Sequence, residues 1–177
     1  MYYGEIKNYD IANGLGIRVT LFVSGCTHHC KGCFNEETWN FCYGKEYTSQ
    51  TEDAIIEACG KPFIRGLSVL GGEPFEKANQ KDVCHLLKKF KETYPQKDVW
   101  CYSGYTFDKD MIPGGKVFTE YTTEMLSCID YLVDGEFVEE KKNLMLKFRG
   151  SSNQRIINVP LSLKQGQTIC YKDEELV

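Results

Sequence analysis

No stretch of this 177-residue chain approaches the ~20 consecutive apolar residues that a membrane span needs. The opening MYYGEIKNYDIANG is neither basic nor apolar enough for a secretory signal, so the expectation is a cytoplasmic protein. Blocks of like charge are missing as well. The net charge is −4, and no basic patch points to nucleic acid or to an anionic membrane. The short runs Lys88-Lys89-Phe90-Lys91 and Glu139-Glu140-Lys141-Lys142 read as solvated faces. There is no internal repeat, no linker and no paired-carboxylate motif for acid–base chemistry. Nor is there a disulfide framework: the nine cysteines are odd in number, and most lie singly in apolar stretches. Cytosolic thiols stay reduced. What is present is ordinary globular composition, 42% apolar and 26% charged, in one domain spanning 1–177.

Strand-like and helix-like stretches alternate. RVTLFVSG (18–25) is a β-branched apolar run that stops at Gly25. TEDAIIEACG (51–60) has helical spacing, with Thr51 as candidate cap and Gly60 as stop. GLSVLGGEP (66–74) is a short buried strand running into glycines. EKANQKDVCHLLKKFKETYP (76–95) is the longest helical pattern, with Val83, Leu86, Leu87 and Phe90 on one stripe. DVWCYSGY (98–105) reads as a strand, TEYTTEMLSCI (119–129) as a helix and DYLVDGEF (130–137) as a strand. NLMLKFRG (143–150) and QRIINVPLSL (154–163) look like further strands. This βαβα succession predicts a mainly parallel α/β sheet with helices outside. An eight-unit barrel takes ~250 residues, so the expectation is an open, partial (β/α) barrel of about five or six units. Every informative stretch falls where a strand ends, the edge at which such folds carry their sites.

The densest such stretch is LFVSGCTHHCKGCFN, in which Cys26, Cys30 and Cys33 are spaced C-x3-C-x2-C. Thiolate-rich sites suit zinc and iron–sulfur clusters alike. A structural zinc site wants four protein ligands, and only His28 or His29 stands near enough in sequence to be the fourth. A redox dithiol leaves Cys26 unexplained. Three ligands on a four-iron cube would leave one iron open.

The spacing, followed by Phe34 and Asn35, resembles the radical S-adenosylmethionine enzymes, and GGEP (71–74) resembles their second signature. In the order SGCTHHCKGCFN, SVLGGEP, VWCYSGYT, LVDGEF and RGSSNQRII, the chain is similar to the activating components of anaerobic (class III) ribonucleotide reductase. The pyruvate formate-lyase activase is the nearest cousin. A zinc-stabilised binding module is the rival from another class.

The resemblance implies a 4Fe-4S cluster held by Cys26, Cys30 and Cys33. The open iron would chelate S-adenosyl-L-methionine, whose reductive cleavage gives a radical that takes hydrogen from a backbone glycine of the large reductase subunit. A flavodoxin- or ferredoxin-type protein would supply the electron. It further implies that Gly32, Phe34 and Asn35 lie near the adenine. Gly71 and Gly72 would then meet the methionyl amino group, with Glu73 orienting the turn. Ser103 and Asp134 would bond the ribose or methionyl groups, and Arg149 the methionyl carboxylate. Phe34 reads equally as a core plug, Gly71-Gly72 as a turn pair, and His28 and His29 as loop spacers or cluster neighbours. Arg155 is left open between the methionyl carboxylate, the partner's loop and tying down the last strand. The remaining cysteines read as small buried hydrophobes, with Cys42 and Cys101 as possible exceptions. Met111, Met125 and Met145 read as core.

Overall fold

The computed structural model describes residues 1–176. Seven strands form one open sheet in the order β3-β1-β2-β4-β5-β6-β7. Its centre is four parallel strands: β2 (Ile17–Val23), β4 (Ile64–Gly71), β5 (Asp98–Ser103) and β6 (Tyr131–Asp134). Three crossovers join them through α1 (Ser49–Cys59), α2 (Lys77–Thr93) and α3 (Thr122–Cys128). Antiparallel strands flank this unit. They are β1 (Tyr2–Asp10) beside β2, the two-residue β3 (Lys45–Glu46) beside β1, and β7 (Arg155–Asn158) beside β6. A last helix, α4 (Val159–Gln165), follows β7.

The parallel centre is where the apolar runs lie, because strands covered on both faces must be apolar throughout. Six of the seven β2 residues are buried. The helices pack one face through Leu21, Val69, Leu86, Phe90 and Met125. Trp100, Val133, Ile156 and Leu176 form a smaller cluster elsewhere. Arg18, fully buried in β2, ties the strand beginnings together. Its Nε donates to Ser68 Oγ at 2.7 Å, its Nη2 to Leu67 O at 2.9 Å, and its Nη1 pairs with Asp98 Oδ1 at 2.6 Å.

Several expectations are corrected. The sheet is mixed rather than mainly parallel, with three parallel and three antiparallel pairings. It holds three crossovers, not five or six units. Residues 2–10, which have no apolar run, form β1 by backbone pairing along β2. Residues 143–150 are not a strand: they form turns that leave Leu144 and Met145 86% and 89% exposed, so Met145 is not core. Residues 154–163 split into β7 and α4, because Asn158 caps the helix by accepting from Leu161 N at 3.0 Å and Pro160 fits its first turn. The cap of α1 is Thr48, whose hydroxyl accepts from Thr51 N. Thr51 is its capping-box partner.

Candidate active site

Parallel strands deliver their carboxyl ends to one edge, so the loops after β2, β4, β5 and β6 meet there. A cavity of about 740 Å³ opens among them. Its wall includes Cys26, Cys30 and Cys33, then Phe34 and Asn35, then Gly71, Gly72 and Glu73, and finally Ser103 and Arg149. Gly32 lies outside the wall, at φ +71, and so does Asp134. Phe34 is 65% exposed, packed at a tilt on Phe137 with centroids 5.4 Å apart, and plugs no core.

The two glycines of the GGEP turn allow a close backbone approach. A Cβ on Gly71 (φ +107) would stand 2.7 Å from Val23 O, and one on Gly72 would stand 2.6 Å from Gly25 O. Gly72 N donates to Val23 O at 2.7 Å and Glu73 N to Gly25 O at 2.9 Å, which binds the turn to the start of the cysteine loop. The Glu73 side chain is 1% exposed and fully engaged. It accepts from Phe75 N, Ser103 Oγ and Gly104 N at 2.8, 2.8 and 2.7 Å. Ser103 Oγ in turn accepts from Tyr105 N. Glu73 thus orients its own turn and joins it to the end of β5.

The spacers of the cysteine loop are anchored as firmly. Thr27 donates to Glu76 Oε1 through its backbone N at 2.8 Å and its hydroxyl at 2.5 Å. His28 is inserted between two carboxylates, with Nδ1 2.6 Å from Glu136 Oε1 and Nε2 3.2 Å from Glu73 Oε2. Its ring lies against Tyr105 with centroids 4.2 Å apart. Burial works against the charged imidazole, but the Glu73 and Glu136 contacts outweigh it and hold its pKa above the ordinary histidine value. His29 stacks on Trp39 at 4.6 Å.

Burial pushes the Cys26 thiol up to about 12, with the nearby Glu73 and Glu76 charges adding to it. Burial, followed by the Glu136 charge, raises Cys30 as well. Thiols so placed are poor nucleophiles, and they become ligands where a cation replaces the proton. Among the described residues no three His, Cys, Asp or Glu side chains converge as the ligands of one metal ion do. Ligands at separate corners of a cube stand farther apart than ligands of a single ion. Cys26, Cys30 and Cys33 line one cavity, the thiolate-rich donor set that an iron–sulfur cluster takes, while His28 Nδ1 is bonded to Glu136 and His29 stacks on Trp39.

Arg149 lines the same cavity. Its Nη2 pairs with Asp173 Oδ1, while its Nε is buried and unpartnered. Gln154 accepts from Gly150 N at 2.8 Å and donates to Gly135 O at 3.0 Å, so the RGSSNQR stretch is a turn knitted to the end of β6. Asp134 is spent on structure. It accepts from Phe107 N at 2.8 Å and from Arg155 at 2.9 and 2.6 Å. Arg155 also grips Asp108 with both terminal nitrogens, tying the last strand to a neighbouring loop. Cys59, Cys84, Cys101 and Cys128 are buried, and Cys42 and Cys170 are exposed.

The chain matches the 4Fe-4S single cluster domain family over residues 12–157. It is 41% identical over 158 residues to the anaerobic ribonucleoside-triphosphate reductase-activating protein of Vibrio cholerae, covering 88% of this chain and 97% of the relative. The chain belongs to the family of anaerobic ribonucleoside-triphosphate reductase-activating proteins. Members from Enterobacteria phage T4, at 37% identity over 88% of this chain and 93% of the relative, and from Escherichia coli K12, at 38% over 87% and 96%, match it similarly. The structure adds residues to the family's cysteine loop that sequence reasoning missed: Glu76 and Tyr105, and the double engagement of His28. They contact one another from three separate loops, and no local spacing marks them. The one available signal was His28 itself, a titratable side chain between two of the cysteines.

Proposed function

We propose that this protein activates an anaerobic ribonucleotide reductase by making a glycyl radical on its large subunit. One observation carries the reading: three cysteines and a Gly-Gly-Glu-Pro turn share a single cavity at the carboxyl edge of parallel strands. The fold is then an open partial barrel of the radical S-adenosylmethionine type, in one domain. Cys26, Cys30 and Cys33 hold three irons of a 4Fe-4S cluster. When bound, the cluster would supply the electron that breaks a C–S bond of S-adenosyl-L-methionine, with methionine leaving and the 5′-deoxyadenosyl group able to take a hydrogen atom from the partner's glycine.

The chain's own residues bind, orient and shield. Phe34 and Asn35 border the adenine, with Phe34 offering an exposed ring face. The Gly71–Gly72 backbone accepts from the methionyl ammonium. The unpartnered Nε of Arg149 binds the carboxylate. Ser103 supports this arrangement through Glu73. The open face of the sheet admits the substrate loop. A flavodoxin- or ferredoxin-type protein reduces the cluster, and the setting is the cytoplasm, in keeping with nine free cysteines. No helix among the described residues is long and apolar enough to cross a membrane.

Anaerobic reconstitution tests the reading. The wild-type protein should bind iron and acid-labile sulfide, release 5′-deoxyadenosine on reduction with S-adenosyl-L-methionine, and give a glycine-centred paramagnetic signal in a coexpressed reductase subunit. Cys26→Ala, Cys30→Ala and Cys33→Ala should each abolish nucleoside release. A signal obtained only with another glycyl-radical enzyme, such as pyruvate formate-lyase, would move the target. Bound zinc without sulfide would defeat the proposal outright.

A further inference from the structure

His28, between the first two cysteines, meets residues of all three other loops around the cavity, those after β4, β5 and β6. Its Nδ1 is hydrogen-bonded to Glu136 of the loop after β6 at 2.6 Å, and its buried Nε2 lies 3.2 Å from Glu73 Oε2 of the GGEP turn, near enough to pair by charge but not aligned as a hydrogen bond. The ring is 5% exposed and packs on Tyr105, whose hydroxyl is 3.1 Å from Thr27 Oγ1 and 3.3 Å from Glu76. The backbone makes room for it: a Cβ on Gly104 would stand 2.6 Å from His28 Nε2. Glu73 also bonds Gly104 N and Ser103, so one imidazole links the metal-binding loop to the ends of β4, β5 and β6.

We infer that His28 is a positioning residue, a strut that fixes the distance and tilt of the cysteine loop relative to the GGEP turn. Three thiols can hold a cluster without it. They cannot by themselves set how its open corner faces a cosubstrate held on Gly71 and Gly72. Outer contacts that orient a metal site typically change affinity or activity 10–100-fold when removed. The inference rests on the reading above of where cluster and cosubstrate lie.

The test uses anaerobically reconstituted full-length protein carrying His28→Ala, Glu136→Ala, Gly104→Ala or the His28→Ala/Glu136→Ala pair. Glu136 has a 56% exposed side chain, so its truncation leaves the core untouched and decides the matter should His28→Ala fail to fold. All variants keep the cysteines and should bind iron and sulfide as the wild type does. Each single variant should change the paramagnetic spectrum that the reduced cluster shows on adding S-adenosyl-L-methionine. Each should also raise the KM for that cosubstrate about 10-fold, more than it lowers kcat. The double variant should be no worse than His28→Ala, because both substitutions break the same link. Wild-type spectra and KM in Glu136→Ala and Gly104→Ala would overturn the inference, and so would additive losses in the double variant. If the wild type itself releases no 5′-deoxyadenosine, the functional reading fails instead. The two failures are therefore distinct.

Discussion

At the scale of single residues, Gly72 shows how a motif can be structural before it is chemical. Its hydrogen is the only substituent that fits beside Gly25 O and Thr38 O, which would stand 2.6 and 2.9 Å from a Cβ. Both atoms are backbone and cannot swing aside. Gly72→Ala should therefore lower stability by about 1–3 kcal/mol, as an overpacked site does. Urea denaturation of the metal-free protein checks this without any cosubstrate. The cysteines and glycines were legible in the sequence because their spacing is local. Glu76, Tyr105 and the second contact of His28 were not, because each depends on a partner 29 to 108 residues away. The sequence could not show the structural bonds of Asp134 and Ser103 for a related reason: a polar residue at a strand end looks the same in sequence whether it faces a ligand or a neighbouring loop.

At the scale of elements, the buried parallel strands and the long amphipathic α2 announce themselves, since burial on both faces or on one stripe leaves a pattern. β1 does not, because its pairing with β2 runs through the backbone and most of its side chains stay partly or fully exposed. The stretch 143–150 shows the converse error, an apolar-looking run whose Leu144 and Met145 face outward. Helix ends are decided by a few bonds, and here the sequence offered two neighbouring threonines. Thr48→Ala should destabilise the protein by about 1 kcal/mol, because its hydroxyl accepts from Thr51 N and no other side chain caps α1. Thr51→Ala keeps that bond and should lose less. Thermal unfolding of the two variants separates them.

At the scale of the whole molecule, Arg155 joins β7 and β6 to the 106–110 loop through Asp134 and Asp108. The Arg155 hydrogen bonds hold the Asp108 carboxyl at about 2, against a smaller opposing effect of burial. Because the folded value is depressed, the stabilisation is fully present above the ordinary aspartate value near ~4. It fades as pH falls from there toward about 2. The wild type should therefore exceed Asp108→Asn in stability at pH 7, with the gap narrowing by pH 3. With its side chain 46% exposed, Asp108 should contribute no more than about 1 kcal/mol. Urea midpoints across that range are the measurement.

The two rims of the sheet carry a different consequence. One ends in β3, a pair of exposed charged residues, Lys45 and Glu46. The other ends in β7, whose outer side is already bridged by Cys170 and bonded by Tyr171 N to Ile156 O at 2.8 Å. β3 covers β1 only at Tyr2 and Tyr3, and along the rest of that rim the exposed charges of Glu5 and Lys7 guard the edge. Edge-to-edge association of two copies is therefore disfavoured at one rim by charge and at the other by the tail that already lies along it.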